Sequence, residues 1–267
     1  MKLFKDIKPK EIDIISYPKS GRTWLSIMIG SYLARHFGLD EAQFIFSKEL
    51  TSISKKINKI GLIKIHHDGP NFLKKPEELT IDKSEYKTHK VVFLVRDPRD
   101  IVVSAYFEKN KRVPARLEDH PYEEYFKGSI NKFLYHDIGS LSTIIRFYNI
   151  WKENFNLPSD MIIMKYENLV NNTCIEFLNI LRFLGINSPN IELVKSIVSE
   201  NSFDNLRTKE EKNVYNDYSL KPGDKSDSES FKVRKGKIGG YVDYFDENEI
   251  KYLNDQIASK LDSIYKY

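Results

Sequence analysis

Apolar positions along this chain alternate between short unbroken runs and longer stretches where they recur every three or four residues. The clearest run is "HKVVFLVR" (89–96), with five consecutive apolar residues, as in a strand covered on both faces. "EIDIISY" (11–17), "GLIKIHH" (61–67) and "DMIIMKYE" (160–167) read as three further strands. Between them lie helical patterns. "SGRTWLSIMIGSYLARHFG" (20–38) is apolar on most sides from Trp24 to Leu33 and stops near Gly38, a C-cap type. Asp97-Pro98 places a capping residue and a first-position proline ahead of "RDIVVSAYFEKN". "SLSTIIRFYNIWKENF" (140–155) gathers Ile144, Ile145, Phe147, Tyr148 and Trp151 on one side. "NNTCIEFLNILRFLG" (171–185), "IELVKSIVSE" (191–200) and a helix near the C-terminus complete the pattern.

Strands alternating with helices predict an α/β fold with a central, mainly parallel sheet flanked by helices. No repeat or linker divides the chain, so residues 1–267 read as a single domain. The polar exception is 207–230, extended to 207–233 with its flank. It reads either as a mobile loop or as a solvated insertion.

Composition narrows the partners. The 42 basic and 38 acidic residues give a net charge of +4, too balanced to argue for nucleic acid or a membrane surface. The single cysteine, Cys174, can form neither an internal disulfide nor a thiolate-rich metal site. No stretch reaches the roughly 20 apolar residues of a membrane span, and the first 15 residues lack a signal-type apolar run. These features point to a cytoplasmic protein.

Candidate chemistry starts in "SYPKSGRTW" (16–24), the loop between the first strand and first helix. A helix N-terminus offers free N–H groups and a positive dipole end to an anion. Gly21 permits close backbone approach, Ser20 and Thr23 add hydroxyls, and Lys19 and Arg22 add charge. The loop is P-loop-like without being the nucleotide loop G-x-x-x-x-G-K-[ST], because its lysine precedes the glycine. No carboxylate sits where a magnesium ligand would be expected, so the transfer is expected to run without a metal. Arg96, at the carboxyl end of the clearest strand, and Ser104, eight residues on, form a second anion site, unless Arg96 merely pairs with Asp97 or Asp100. "FKVRKGKIGGY" (231–241) sets Arg234, Lys235 and Lys237 among three glycines and suits a phosphate, or a solvated hairpin.

These three segments, in this order, resemble those of the PAPS-dependent sulfotransferases, especially the cytosolic type. PAPS is 3′-phosphoadenosine 5′-phosphosulfate. The resemblance spans about residues 11–250 and implies an enzyme that moves a sulfuryl group from PAPS to a hydroxyl or amine, releasing adenosine 3′,5′-bisphosphate (PAP). It implies that Lys19, Ser20, Gly21, Arg22, Thr23 and Trp24 grip the 5′-phosphosulfate, with Trp24 near the adenine. The family commonly has Thr where this chain has Arg22. Arg96, Ser104, Arg234, Lys235 and Gly236 are implied to bind the 3′-phosphate. Tyr166 in "MKYENL" matches a tyrosine near adenine, and "NSFDNL" (201–206) puts Asn201 and Phe203 against the adenosine, with Asn replacing the usual Thr.

"KIHH" resembles the family's K-T-H segment, which implies His66 as the catalytic base and assigns Lys64 to the family's lysine. His67 is the immediate rival, because adjacent strand residues point to opposite faces. Among His36, His89, His120 and His136, only His136 is expected near an acceptor. Lys19 is implied to stabilise the leaving oxygen, and Ser104 to restrain Lys19. Phe72, Tyr106, Phe107, Phe133, Tyr135 and Phe147 could line a pocket for a small-molecule or glycan acceptor, or could be core. The family's G-D-W is Gly239-Gly240-Tyr241 here, and no dimer segment is visible in "VDYFDENEI". A metal-dependent nucleotide kinase and a non-catalytic nucleotide-binding module are the competing classes.

Overall fold

The structure is a computed structural model, and it describes residues 11–39, 47–57, 60–116, 125–217 and 220–267. Four strands, β1 (Glu11–Ser16), β2 (Leu62–His66), β3 (Lys90–Val95) and β4 (Asp160–Lys165), form one parallel sheet in the order β2-β1-β3-β4. The helices are α1 (Arg22–His36), α2 (Ser47–Lys56), α3 (Pro98–Phe107), α4 (Ile130–Leu134), α5 (Leu141–Glu153), α6 (Tyr166–Asn171), α7 (Thr173–Phe183), α8 (Ile191–Glu200), α9 (Phe203–Glu211) and α10 (Glu247–Lys260).

Alternation along the strands divides the core in two. Ile12, Ile14, Ile63, Ile65, Val92 and Leu94 pack on one side with α1, α7 and α8. Ile15, Val91, Phe93 and Val95 pack on the other with α3, α5 and α10. β3 is central and covered on both faces, which is why its sequence is an unbroken apolar run. β4 is an edge strand and its side chains are largely half-exposed.

Local signals set the helix starts. Asp97 caps α3 by accepting from the Arg99 N–H at 2.9 Å, with Pro98 at the first position. The strand expected over 160–167 ends at Lys165, and Tyr166 opens α6. Residues 207–211 of the polar segment form the end of α9. The buried Glu210 there accepts from the backbone N–H groups of Lys232 (2.6 Å) and Val233 (2.8 Å), tying α9 to the basic turn that follows. Among the described residues no helix is long and apolar enough to cross a membrane.

Candidate functional site

A cavity of about 660 Å³ lies over the carboxyl ends of the strands, where ligands gather in open α/β sheets. Its wall takes residues that follow each of the four strands: Lys19, Arg22 and Trp24 after β1, His67 and Phe72 after β2, Arg96, Asp100 and Ser104 after β3, and Tyr166 and Thr173 after β4. The α8–α9 junction and the basic turn 232–237 close the far side.

The first loop turns through two left-handed residues, Lys19 (φ 76°) and Gly21 (φ 95°), before α1 begins. Successive N–H groups in such a turn form a concavity for an anion. Gly21 is required on a second count, since a Cβ there would lie 2.6 Å from the Tyr166 ring. Trp24 meets Tyr166 edge-on at 6.2 Å, and its indole N–H donates to the Asn201 carbonyl at 2.9 Å. One aromatic wall therefore joins the loop after β1, the start of α6 and the end of α8.

Arg96 stands where β3 ends. Its guanidinium lies 4.4 Å over the Tyr166 ring and donates to the Lys19 carbonyl at 3.1 Å. Its Nε is buried without a hydrogen-bond partner among the described residues, a fixed donor that suits an anion. Asp100 is 3.8 Å from the guanidinium, but its main work is elsewhere: it accepts the N–H groups of Gly239 (2.9 Å) and Tyr241 (3.1 Å). Burial pushes the Asp100 carboxyl up, with Arg96 and these two N–H groups opposing it. That contact docks the 231–241 turn on α3 and brings its cations to Arg96. Arg234 is held by Tyr244 and by Glu229 (2.8 Å), with its guanidinium 4.6 Å over Phe107. Gly236 (φ 60°) packs on Phe203, where a Cβ would lie 2.5 Å from the ring. The separate "NSF" and "RKG" segments thus touch directly.

The two histidines after β2 part company. His67 lines the cavity. Its Nδ1 is 2.8 Å from the Ser16 carbonyl, which can only accept, so the proton sits on Nδ1 and Nε2 keeps its lone pair. Burial, and then the positive charge of Arg22, hold its pKa well below the usual imidazole value. His66 points behind the sheet and is outside the cavity wall. Its Nδ1 accepts from the Asp68 N–H (3.1 Å) and its Nε2 donates to Asp13 (2.9 Å), so both ring nitrogens are engaged. The position expected for His66 is therefore taken by His67. The parity of β2 is the reason: His66 pairs with Ile15 and shares the face opposite His67. Lys64 is likewise away from the cavity, bonded to Glu11 at the start of β1, and that bond raises its pKa. Glu11, Asp13 and His89 also converge there, with His89 bonded to Asp13 at 2.6 Å.

Several other expectations shift. Ser20 is fully buried beneath the loop and is not part of the wall. Asn201 lines the cavity, but its amide is committed to the Ile197 carbonyl (2.9 Å) and to Lys209 (3.2 Å). Of the aromatic acceptor candidates, Phe72 lines the cavity. Phe107, Phe133 and Phe147 are core, and Tyr106 packs on that core. Tyr135 and His136 border a separate, smaller depression. His120 lies outside the described residues. Arg22, Thr23, Ser104, Phe203, Arg234 and Lys235 line the cavity.

The main residue missed from sequence is Glu108. α3 widens at its end into a π-helical turn, Glu108–Arg112, and this carboxylate lines the cavity. It is bonded to the Lys19 ammonium and to Arg112 (2.6 and 2.7 Å), and Lys232 lies at 3.8 Å. Nothing in "SAYFEKN" signals this, because a lone glutamate at a helix end reads as surface.

The family described as "Sulfotransferase domain" matches residues 9–264. Cytosolic sulfotransferase 12 of Arabidopsis thaliana is 26% identical over 96% of this chain and 78% of its own length. Flavonol 4′-sulfotransferase of Flaveria chlorifolia is 26% identical over 95% and 80%, respectively. Among solved structures, mouse sulfotransferase SULT7A1 complexed with PAP superposes with a TM-score of 0.62 at 19% identity, covering 94% of this chain and 84% of that one. Retinol dehydratase in complex with androsterone and PAP gives a TM-score of 0.61 at 18% identity, covering 96% and 82%.

Proposed function

The chain belongs to the sulfotransferase domain family and is a sulfotransferase; on that premise we propose that it uses PAPS as donor and His67 as base, acting on a hydroxyl or amine of a small-molecule acceptor. The observation that carries this reading is the convergence of three basic segments, distant in sequence, with one lone-pair-bearing imidazole in a single cavity.

The residues present suit the donor. Lys19, Arg22, Thr23 and the loop N–H groups hold the 5′-phosphosulfate. Arg96, Ser104, Arg234, Lys235 and the backbone at Gly236 hold the 3′-phosphate, with charge-assisted bonds as the stronger kind. Trp24, Tyr166 and Phe203 bound the adenine. PAPS supplies the sulfuryl group and leaves as PAP. His67 Nε2 takes the proton of the acceptor as its oxygen or nitrogen bonds to sulfur. Lys19 neutralises charge on the departing phosphate oxygen. The wall around Pro70, Phe72, Leu73 and Val113 is apolar and suits the body of the acceptor.

The test is twofold. PAP is expected to raise the melting temperature strongly, with AMP and ATP doing little. Radiolabel from PAPS is expected to enter at least one member of a panel of flavonols, steroid alcohols, phenols, amines and sugars. Equal stabilisation by ATP, with label moving only from its γ-phosphate, would replace this reading with a kinase.

Glu108 adds a second expectation. Lys19 has to turn from that carboxylate toward the donor, so Glu108 competes with donor binding. Glu108→Gln keeps an oxygen for Arg112 and removes the competing charge. Calorimetry should show the Kd for PAP falling roughly tenfold, about 1.4 kcal/mol. Weaker binding would mean that the carboxylate helps to hold the donor.

A further inference from the structure

The turn that carries His67 is held from behind by a second, buried polar cluster, and we propose that Asp68 is the positioning residue that fixes the direction of the base. This inference rests on the reading of His67 given above.

After β2 the chain passes through two left-handed residues, Asp68 (φ 56°) and Gly69 (φ 98°). An aspartate tolerates that conformation better than most residues, but it persists only where the surroundings enforce it. Here they do. One oxygen of the Asp68 carboxylate accepts from the Tyr86 hydroxyl at 2.8 Å. The other accepts from the Trp151 indole N–H at 3.0 Å and from the Lys83 ammonium at 2.6 Å. The side chains of Asp68 and Lys83 are only 5% and 3% exposed. Burial and the Asp68 charge push the Tyr86 hydroxyl well above its ordinary pKa, so it stays a donor.

The backbone of the turn is fixed as firmly. The Asp68 N–H donates to His66 Nδ1, and the Asn71 amide donates to the carbonyls of His67 (2.7 Å) and Asp68 (2.8 Å). His66 is in turn bonded to the buried Asp13. Residues on both sides of His67 are therefore pinned behind the sheet, to α5 through Trp151 and to the segment before β3 through Lys83 and Tyr86. The His67 ring projects forward from this clamp, and its Nδ1–H reaches the Ser16 carbonyl. A buried carboxylate–ammonium pair adds little net stability. Its role here is to hold the turn, so that His67 Nδ1–H stays on the Ser16 carbonyl and Nε2 keeps the direction that proton transfer requires.

The tautomer is read on the enzyme bound to PAP, and turnover and PAP affinity on the enzyme before PAP is added. Asp68→Asn leaves Lys83 buried without its counter-charge, so the paired variant Asp68→Asn/Lys83→Met, which keeps the charge balance, is measured beside it. Long-range ¹H–¹⁵N spectra read the tautomer of His67 directly. The wild type should show the Nδ1–H form alone, and both variants a mixture. Turnover with 4-nitrophenol should fall on the order of 10²-fold through kcat, with the Kd for PAP changing less than about threefold, as suits a group remote from the donor. As burial of the ring relaxes, its pKa should rise away from the influence of Arg22, Lys232 and His66, moving the acid limb to higher pH. A paired variant that keeps a single Nδ1–H tautomer overturns the proposal, as does one that loses PAP affinity in step with turnover. Full transfer by His67→Ala would instead overturn the assignment of the base, and the tautomer measurement keeps the two failures apart.

Discussion

His67→Ala should lose transfer by between about 10²- and 10⁴-fold, the usual contribution of a positioned general base, while PAP still stabilises the protein. The proposed base lines the cavity with its Nδ1–H bonded to the Ser16 carbonyl and a depressed pKa. His66→Ala should cost far less turnover. It removes a ring whose nitrogens serve Asp13 and the Asp68 N–H, so its main effect is on stability. The pH dependence follows with a definite sign. A depressed pKa keeps the imidazole neutral at lower pH, so the acid limb of kcat/KM should fall below the ordinary histidine value of about 6.5. Steady-state rates of the two alanine variants, and a pH series on the wild type, check both points. A dead His66→Ala beside an active His67→Ala would move the base one residue back.

Arg96→Met should weaken PAP by at least about 10²-fold while leaving AMP binding nearly unchanged. The guanidinium is held by Tyr166, the Lys19 carbonyl and Asp100, and its buried Nε has no partner among the described residues. Hydrogen bonds between charged groups contribute roughly 1.5–3 kcal/mol each, so two such bonds to a 3′-phosphate account for a loss of that size. AMP lacks that phosphate and gains nothing from Arg96. Calorimetric titration of both nucleotides into both proteins reads the difference. If PAP binds Arg96→Met with wild-type affinity, the 3′-phosphate lies elsewhere and the donor pose has to be redrawn.

How much of this was legible beforehand depended on the range of the interaction. The strands, the Asp97-Pro98 helix start and the loop at Lys19–Trp24 follow from periodicity, capping and backbone preference, which act over a few residues. So does the basic turn at 231–241, whose glycines and cations are adjacent in sequence. Residues that had to be located by register were harder. His66 and His67 are neighbours of identical chemistry. Only the pairing of His66 with Ile15, and the reach of His67 to the Ser16 carbonyl, decide which ring enters the cavity. Ser20 is a hydroxyl in the right loop but lies under it. Glu108 faces the cavity only because the end of α3 is wound as a π-helical turn against Arg112 and Lys19.

By itself the amino-acid sequence determined the α/β alternation, the buried apolar run of the central strand and the three basic, glycine-bearing segments, because burial patterns and loop chemistry are written in contiguous residues. The tertiary structure alone decided that these segments share one cavity. Asp100 reaches 139 positions along the chain to the Gly239 N–H, and Phe203 packs on Gly236. It also decided which histidine faces the cavity and which carboxylate holds Lys19. Those outcomes depend on side-chain direction, and direction is set by strand register and by buried hydrogen bonds between parts of the chain that are distant in sequence.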